Sequence, residues 1–140
     1  MVAHDDARMV TTNLGRTADG HRLEVAAEID APAERLWDLL THTSRWPEWG
    51  PLLSDVTCDV DEIGTGTTGT LETTFGLDVP FRVTSCLDFR WTWDLFGITA
   101  TGHRVEPLNG HCRVVFEVPV LAAGYSPICA VALQELDEIA

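Results

Sequence analysis

His103 is the residue of this chain best suited to proton chemistry. It stands in an alternating stretch where Thr101, His103 and Val105 share one face, and Gly102, Arg104 and Glu106 share the other. The polar-rich side is the natural solvent side, so His103 is expected to point inward. A neutral imidazole there is able to accept a proton near pH 7 or to hydrogen-bond a ligand carbonyl. The competing use is a core histidine satisfied by backbone or by a threonine neighbour. Ser85 also falls inward by alternation, but nothing in the sequence sets a histidine or an acid beside it, so it is not assigned as a nucleophile. Tyr125 and Ser126 precede the last helical stretch. A phenol there would orient a ligand at an entrance, but capping and packing account adequately for both residues and are the preferred reading.

Other chemistries are set aside on pattern. Gly64-Thr65-Gly66-Thr67-Thr68-Gly69 matches the letters of a dinucleotide fingerprint. That fingerprint needs a helix behind it, whose N-terminus holds the pyrophosphate, and here the strand-like Thr70-Leu71-Glu72-Thr73-Thr74-Phe75 follows. His4, His21, His42, His103 and His111 are scattered, without H-x-x-x-H or Cys/His spacing, so no metal is expected. Cys58, Cys86, Cys112 and Cys129 form no C-x-x-C, and each falls in an apolar-periodic segment, which reads as buried free thiol. No cofactor is expected.

Composition narrows the partners. The 140 residues fit one domain, 1–140, able to bury a real core. Nine basic residues, all arginine, oppose 22 acidic ones for a net charge of −13. Such a surface repels phosphate backbones and anionic headgroups, so nucleic acid and stable membrane insertion are not expected. No apolar run approaches the ~20 residues of a membrane helix. The opening Met-Val-Ala-His-Asp-Asp does not read as a secretory signal, and a cytoplasmic location is expected. Asp5, Asp6, Asp55, Asp59, Asp61 and Glu62 read as a hydrated acidic face suited to a halophilic source, the alternative being an acidic mesophile.

The elements that must position these residues follow from periodicity. Residues 1–19 read as a loose tail or a short edge strand. His21–Ile29 alternates as a half-buried strand. Asp30-Ala31-Pro32 opens a helix with Leu36, Trp37, Leu39 and Leu40 on its apolar face. Trp46-Pro47-Glu48-Trp49 allows a short helical turn, and its two tryptophans read as a plug at one end of the sheet. Six further strands are expected around Val56–Val60, Leu71–Phe75, Val79–Leu87, Trp91–Leu95, Thr101–Glu106 and Cys112–Val118. Asn109-Gly110 is the hairpin signal between the last two, both positions tolerating positive φ. Ser126-Pro127 reads as cap and first helical residue of a final helix, whose stripe is Cys129, Ala132, Leu133, Leu136 and Ile139. On the strands, Arg82, Arg104 and Arg113 fall outward, where Glu72, Glu106 and Glu117 offer exposed cross-strand pairs. The expected class is α+β: a curved antiparallel sheet of about seven strands wrapped around a C-terminal helix, with two short helices after the first strand.

Ile29-Asp30-Ala31-Pro32-Ala33-Glu34-Arg35-Leu36-Trp37-Asp38-Leu39-Leu40, followed by Trp46-Pro47-Glu48-Trp49, resembles the opening of the START-like, birch-pollen-allergen-type (SRPBCC) superfamily. Gly64-Thr65-Gly66-Thr67 and Gly102-His103-Arg104-Val105-Glu106-Pro107 are similar to later segments of its polyketide cyclase/dehydratase and lipid-transport branch. The likeness runs over about residues 21–140. It implies a helix-grip fold with a cavity between sheet and final helix for lipids, polyketides or other apolar ligands. The final helix, about Pro127 to Ile139, is shorter than is usual for the family.

The first expectation is therefore binding or transport of a small hydrophobic ligand. The pocket would be lined by Phe81, Trp91, Trp93, His103 and Phe116, with Leu71 and Leu133 completing the wall. A cyclase or dehydratase using His103 as its acid or base is the alternative, and a co-chaperone-like interaction role ranks third. Monomer and dimer both remain open.

Overall fold

Thr11–Thr17 (β1) and Gly20–Ile29 (β2) open the chain as an antiparallel hairpin in the computed structural model, which describes residues 10–140. The edge-strand reading of the N-terminal stretch therefore holds for 11–17, while His4, Asp5 and Asp6 lie outside the described residues. Ala33–Thr41 (α1) and Trp46–Trp49 (α2) follow, joined by a 3-10 turn at Thr43–Arg45. Then come Leu53–Cys58 (β3), Thr68–Thr73 (β4), Asp78–Leu87 (β5), Arg90–Leu95 (β6), Ile98–Pro107 (β7) and Cys112–Pro119 (β8). A 3-10 segment, Val120–Tyr125, leads into Ser126–Ile139 (α3).

All neighbours pair antiparallel in one eight-stranded sheet, ordered β1-β2-β8-β7-β6-β5-β4-β3. The meander from β3 to β8 is closed onto β2 by the pairing of β2 with β8. The sheet curls around α3, which rests on β2 and β8, and α1 packs on β7 and β8. This is the helix-grip arrangement, with β1 as an added edge strand.

Tight turns explain why consecutive strands pair. Asp88-Phe89 and Phe96-Gly97 are two-residue links with φ of 55° and 63°, and 53° and 74°. Positive φ at both positions matches the twist of the strands they join. The Asn109-Gly110 link differs from expectation. Only Gly110 takes positive φ, at 83°, inside a four-residue loop closed by the Leu108 N–H donating to the His111 carbonyl at 2.8 Å.

Several expected positions shift for local reasons. β4 ends at Thr73, whose hydroxyl donates to the Leu77 carbonyl and accepts the Leu77 N–H, so Phe75 sits in the turn and is exposed. A bulge between Val83 and Ser85 breaks the alternation of β5. One extra residue flips the faces beyond it. Cys86 consequently packs toward the core, Leu87 is exposed, and Ser85 turns outward to share Thr92 Oγ1 with Thr84. Ser126 is the first helical residue rather than the cap, and its hydroxyl donates back to the Ala123 carbonyl. Pro32 occupies the cap position of α1, and no side chain caps it. Cys112 and Cys129 are buried, whereas Cys58 and Cys86 are only half-buried.

Candidate functional site

The two tryptophans of α2 are locked by the helix before them. The last carbonyls of a helix have no partner within it. Trp46 Nε1–H donates to the Leu40 carbonyl at 2.9 Å and Trp49 Nε1–H to the Leu39 carbonyl at 2.8 Å, so two buried indoles close the C-terminus of α1. Trp46 then lies flat on Trp91, with ring centres 5.4 Å apart and planes 3° apart, and meets Trp93 edge-on.

Beyond this stack a pocket of about 230 Å³ opens between the sheet and α3. Leu71, Val79, Trp93, His103 and Phe116 line it from the sheet, with Trp46 and Trp49 on one side and Ile128, Cys129 and Ala132 from α3 on the other. Leu52, Phe75 and Tyr125 stand at the open end, where all three are exposed. Among the described residues no Asp, Glu, Lys or Arg lines the pocket. Burial pushes the Cys129 thiol up to about 12, so it stays neutral.

His103 is 3% exposed and stacked on Trp91 at 4.0 Å. Burial is the chief force on it, lowering its pKa to about 3 against smaller opposing pulls from the Trp91 carbonyl and Glu117. The ring is therefore neutral at pH 7, and its tautomer follows from its neighbours. Nδ1 faces the Trp91 carbonyl at 3.4 Å, and a carbonyl can only accept, so Nδ1 carries the proton. Nε2 is then an acceptor, and Thr101 Oγ1 donates to it at 2.9 Å. Thr101 in turn accepts Trp93 Nε1–H at 3.0 Å. The result is a satisfied relay, Trp93 to Thr101 to His103 to the Trp91 backbone, with both ring nitrogens used.

Of the residues expected to form the wall, Leu71, Trp93, His103 and Phe116 meet at the pocket. Trp91, Phe81 and Leu133 do not: they are 0%, 3% and 0% exposed and belong to the packed core behind it. Among the described residues nothing accepts the buried Trp91 Nε1–H, and the ring is held by packing against Trp46, Trp93 and His103. Alternation correctly gives the face of these residues, but depth along a curved strand leaves no trace in it. The pocket residues of α3 were missed for a related reason. Ile128, Cys129 and Ala132 face the pocket, while Leu133 and Leu136, one position round the helix, face the core.

The outer face of the same strands carries the charges, beside a polar cleft lined by Thr84, Thr92, Asp94, Gly102 and Glu117. Glu117, expected as an exposed partner, is 1% exposed. Arg90 holds it from β6 with Nη2 to Oε1 at 2.6 Å, and Arg104 from β7 with Nη1 to Oε2 at 2.8 Å. Arg104 also reaches Glu24 and Glu106, Arg113 reaches Glu106, and Arg90 reaches Asp19. Burial raises the pKa of Glu117, but the two guanidiniums outweigh it and hold the carboxyl below its usual value. Glu24 and Glu117 are direct cross-strand neighbours, so Arg104 also neutralises a like-charge pair. Gly102 makes the room: a Cβ there would stand 2.7 Å from Glu117 Oε1. Among the described residues no group of three His, Cys, Asp or Glu side chains is placed to hold a metal, and no helix is long and apolar enough to cross a membrane.

A family model described as polyketide cyclase/dehydrase and lipid transport matches residues 20–125. No curated protein sequence matches the chain. Among solved structures, the chain is similar to protein Ms6760 from Mycobacterium smegmatis, at 16% identity over 94% of this chain and 97% of that one, with a TM-score of 0.63. It is also similar to protein BH1534 from Bacillus halodurans, at 12% identity over 83% and 94%, with a TM-score of 0.67. A third similar structure is DynU16, from the dynemicin biosynthetic locus, at 15% identity and a TM-score of 0.62. That match covers 82% of this chain and 45% of DynU16. At these identities the structural likeness speaks to fold.

Proposed function

The chain belongs to the polyketide cyclase/dehydrase and lipid transport family, and from that premise we propose that it binds and carries a small hydrophobic ligand in the pocket between the sheet and α3. The observation that carries this reading is the pocket itself: about 230 Å³, walled by aromatic and aliphatic side chains, with no charged group in its lining among the described residues. Burying a ligand's apolar surface there supplies about 25 cal/mol per Å² before ordering costs. The cyclase alternative asks His103 to move a proton. Its free lone pair already accepts from Thr101 and its proton already faces the Trp91 carbonyl. A base so engaged, and neutral down to about pH 3, is built for packing.

Native mass spectrometry in volatile salt, followed by organic extraction, tests the proposal. An apolar mass is expected to accompany the wild-type protein. It should be lost in Ala132→Phe, which fills the pocket from α3 while leaving the outer face untouched. A co-purified mass indifferent to that substitution would mean that the ligand sits elsewhere, and the reading would fail.

A further inference from the structure

We infer that the ligand is uncharged and small, with about nine heavy atoms inside the pocket, so that the site selects short-chain or bicyclic neutral compounds over long acyl chains and carboxylates. This rests on the binding reading above and narrows it.

Size comes first. A cavity of about 150 Å³ holds benzene, and drug-sized ligands fill about 300–1,000 Å³. This pocket, at about 230 Å³, lies between the two. At benzene's ratio it takes about nine heavy atoms. A bicyclic ring system or an eight-carbon chain with one polar atom fills it. A tetracyclic product or a sixteen-carbon chain leaves about half of its surface in water. The wall has little room to expand, because Trp46 and Trp49 are pinned to α1 by their indoles and Trp93 to Thr101.

Charge comes second. Among the described residues no cation lines the pocket, and His103 is neutral. A carboxylate would thus lose its water inside without gaining an opposite charge.

Polar capacity comes third. The indole N–H groups of Trp46, Trp49 and Trp93 and the hydroxyls of Thr73 and Thr101 are all spent within the protein. Among the described residues the Tyr125 hydroxyl at the mouth and the Cys129 thiol have no hydrogen-bond partner, and the hydroxyl is the stronger donor to meet a single polar atom of the ligand.

Calorimetric titration of the purified protein with a homologous series tests this, using 1-hexanol, 1-octanol, 1-decanol and 1-dodecanol, then octanoate and methyl octanoate. Affinity should rise about fourfold per methylene up to 1-octanol and flatten beyond it. Methyl octanoate should match 1-octanol, and octanoate should bind at least about tenfold more weakly. Octanoate binding as well as its ester, or affinity climbing steadily through 1-dodecanol, would overturn the inference and leave the carrier reading standing. No binding by any member of the series would remove both.

Discussion

On the inner face of the sheet His103 is buried without charge, its two nitrogens bound to Thr101 and to the Trp91 backbone. One residue further along β7, Arg104 reaches Glu24, Glu106 and Glu117 on the outer face, fully charged. Both arrangements satisfy their polar groups, but they do so at different cost. Neutral groups need only a partner for each hydrogen, and they leave the space beside them free of field. Ions must be surrounded, and the cleft on the outer face is lined by Asp19, Arg22, Asp94 and Glu117. The apolar pocket sits on the face whose polar groups are neutral. The outer face spends its polar residues on tying β2, β6, β7 and β8 together.

Glu117→Gln breaks the outer side of that comparison and carries the largest expected effect. It leaves Arg90 and Arg104 facing a neutral amide in a site where the carboxylate was 1% exposed. Removing one partner of a buried pair costs about 3–5 kcal/mol, and the lower end applies because Asp19, Glu24 and Glu106 still hold the two arginines. A urea midpoint shift worth about 3 kcal/mol is expected, with ligand affinity unchanged. A loss of affinity equal to the loss of stability would show that the two faces are not separable.

The inner side is broken by acid. The unfolded chain protonates His103 near pH 6.5, whereas the folded protein resists until about pH 3. A base with a lowered folded value favours the folded state above pH 6.5 and progressively less as pH falls toward 3. Each pH unit in that window removes about 1.4 kcal/mol. Glu117, whose folded value is also lowered, acts only below the ordinary carboxyl range, and His111, whose value Glu28 raises, cancels in the comparison with His103→Gln. Between pH 6.5 and 4.5 wild type should lose about 2.5 kcal/mol more than His103→Gln. Parallel pH curves for the two proteins would mean that His103 titrates normally and is open to water.

Sequence reading reached the fold through alternation, since strands covered on one side by α1 and α3 must alternate and two-residue turns must pair consecutive strands. It erred where one residue changes phase: the bulge at Val83/Ser85 sends Ser85 outward, and the turn after Thr73 exposes Phe75. For the pocket it found Leu71, Trp93, His103 and Phe116, which alternation marks, but it also took Trp91, Phe81 and Leu133, which share a face or stripe yet lie deeper. The burial of Glu117 was illegible because it depends on arginines from two other strands and on the space left by Gly102. None of that is local in sequence. The role of Trp46 and Trp49 in closing α1 did have a signal, two indoles within ten residues of a helix end whose carbonyls need donors.

Thr101→Val sharpens the comparison at the smallest cost, because it removes only the hinge of the neutral relay. Valine keeps the shape and loses the hydroxyl. Two groups are then orphaned: Trp93 Nε1–H, at the pocket wall, and His103 Nε2 behind it. Each buried orphan costs about 1–3 kcal/mol. Trp93 is only half-buried and the pocket gives its N–H some access to water, so a total near 2 kcal/mol is expected. The functional effect should have the opposite sign for one class of compound. A free indole N–H facing the pocket is a donor that the wild type does not offer. Ketones of the octanol size should therefore gain on the corresponding alkanes in Thr101→Val, while alkanes bind as before. If ketones gain nothing, Trp93 has found another acceptor and the relay is not what keeps the pocket wall neutral.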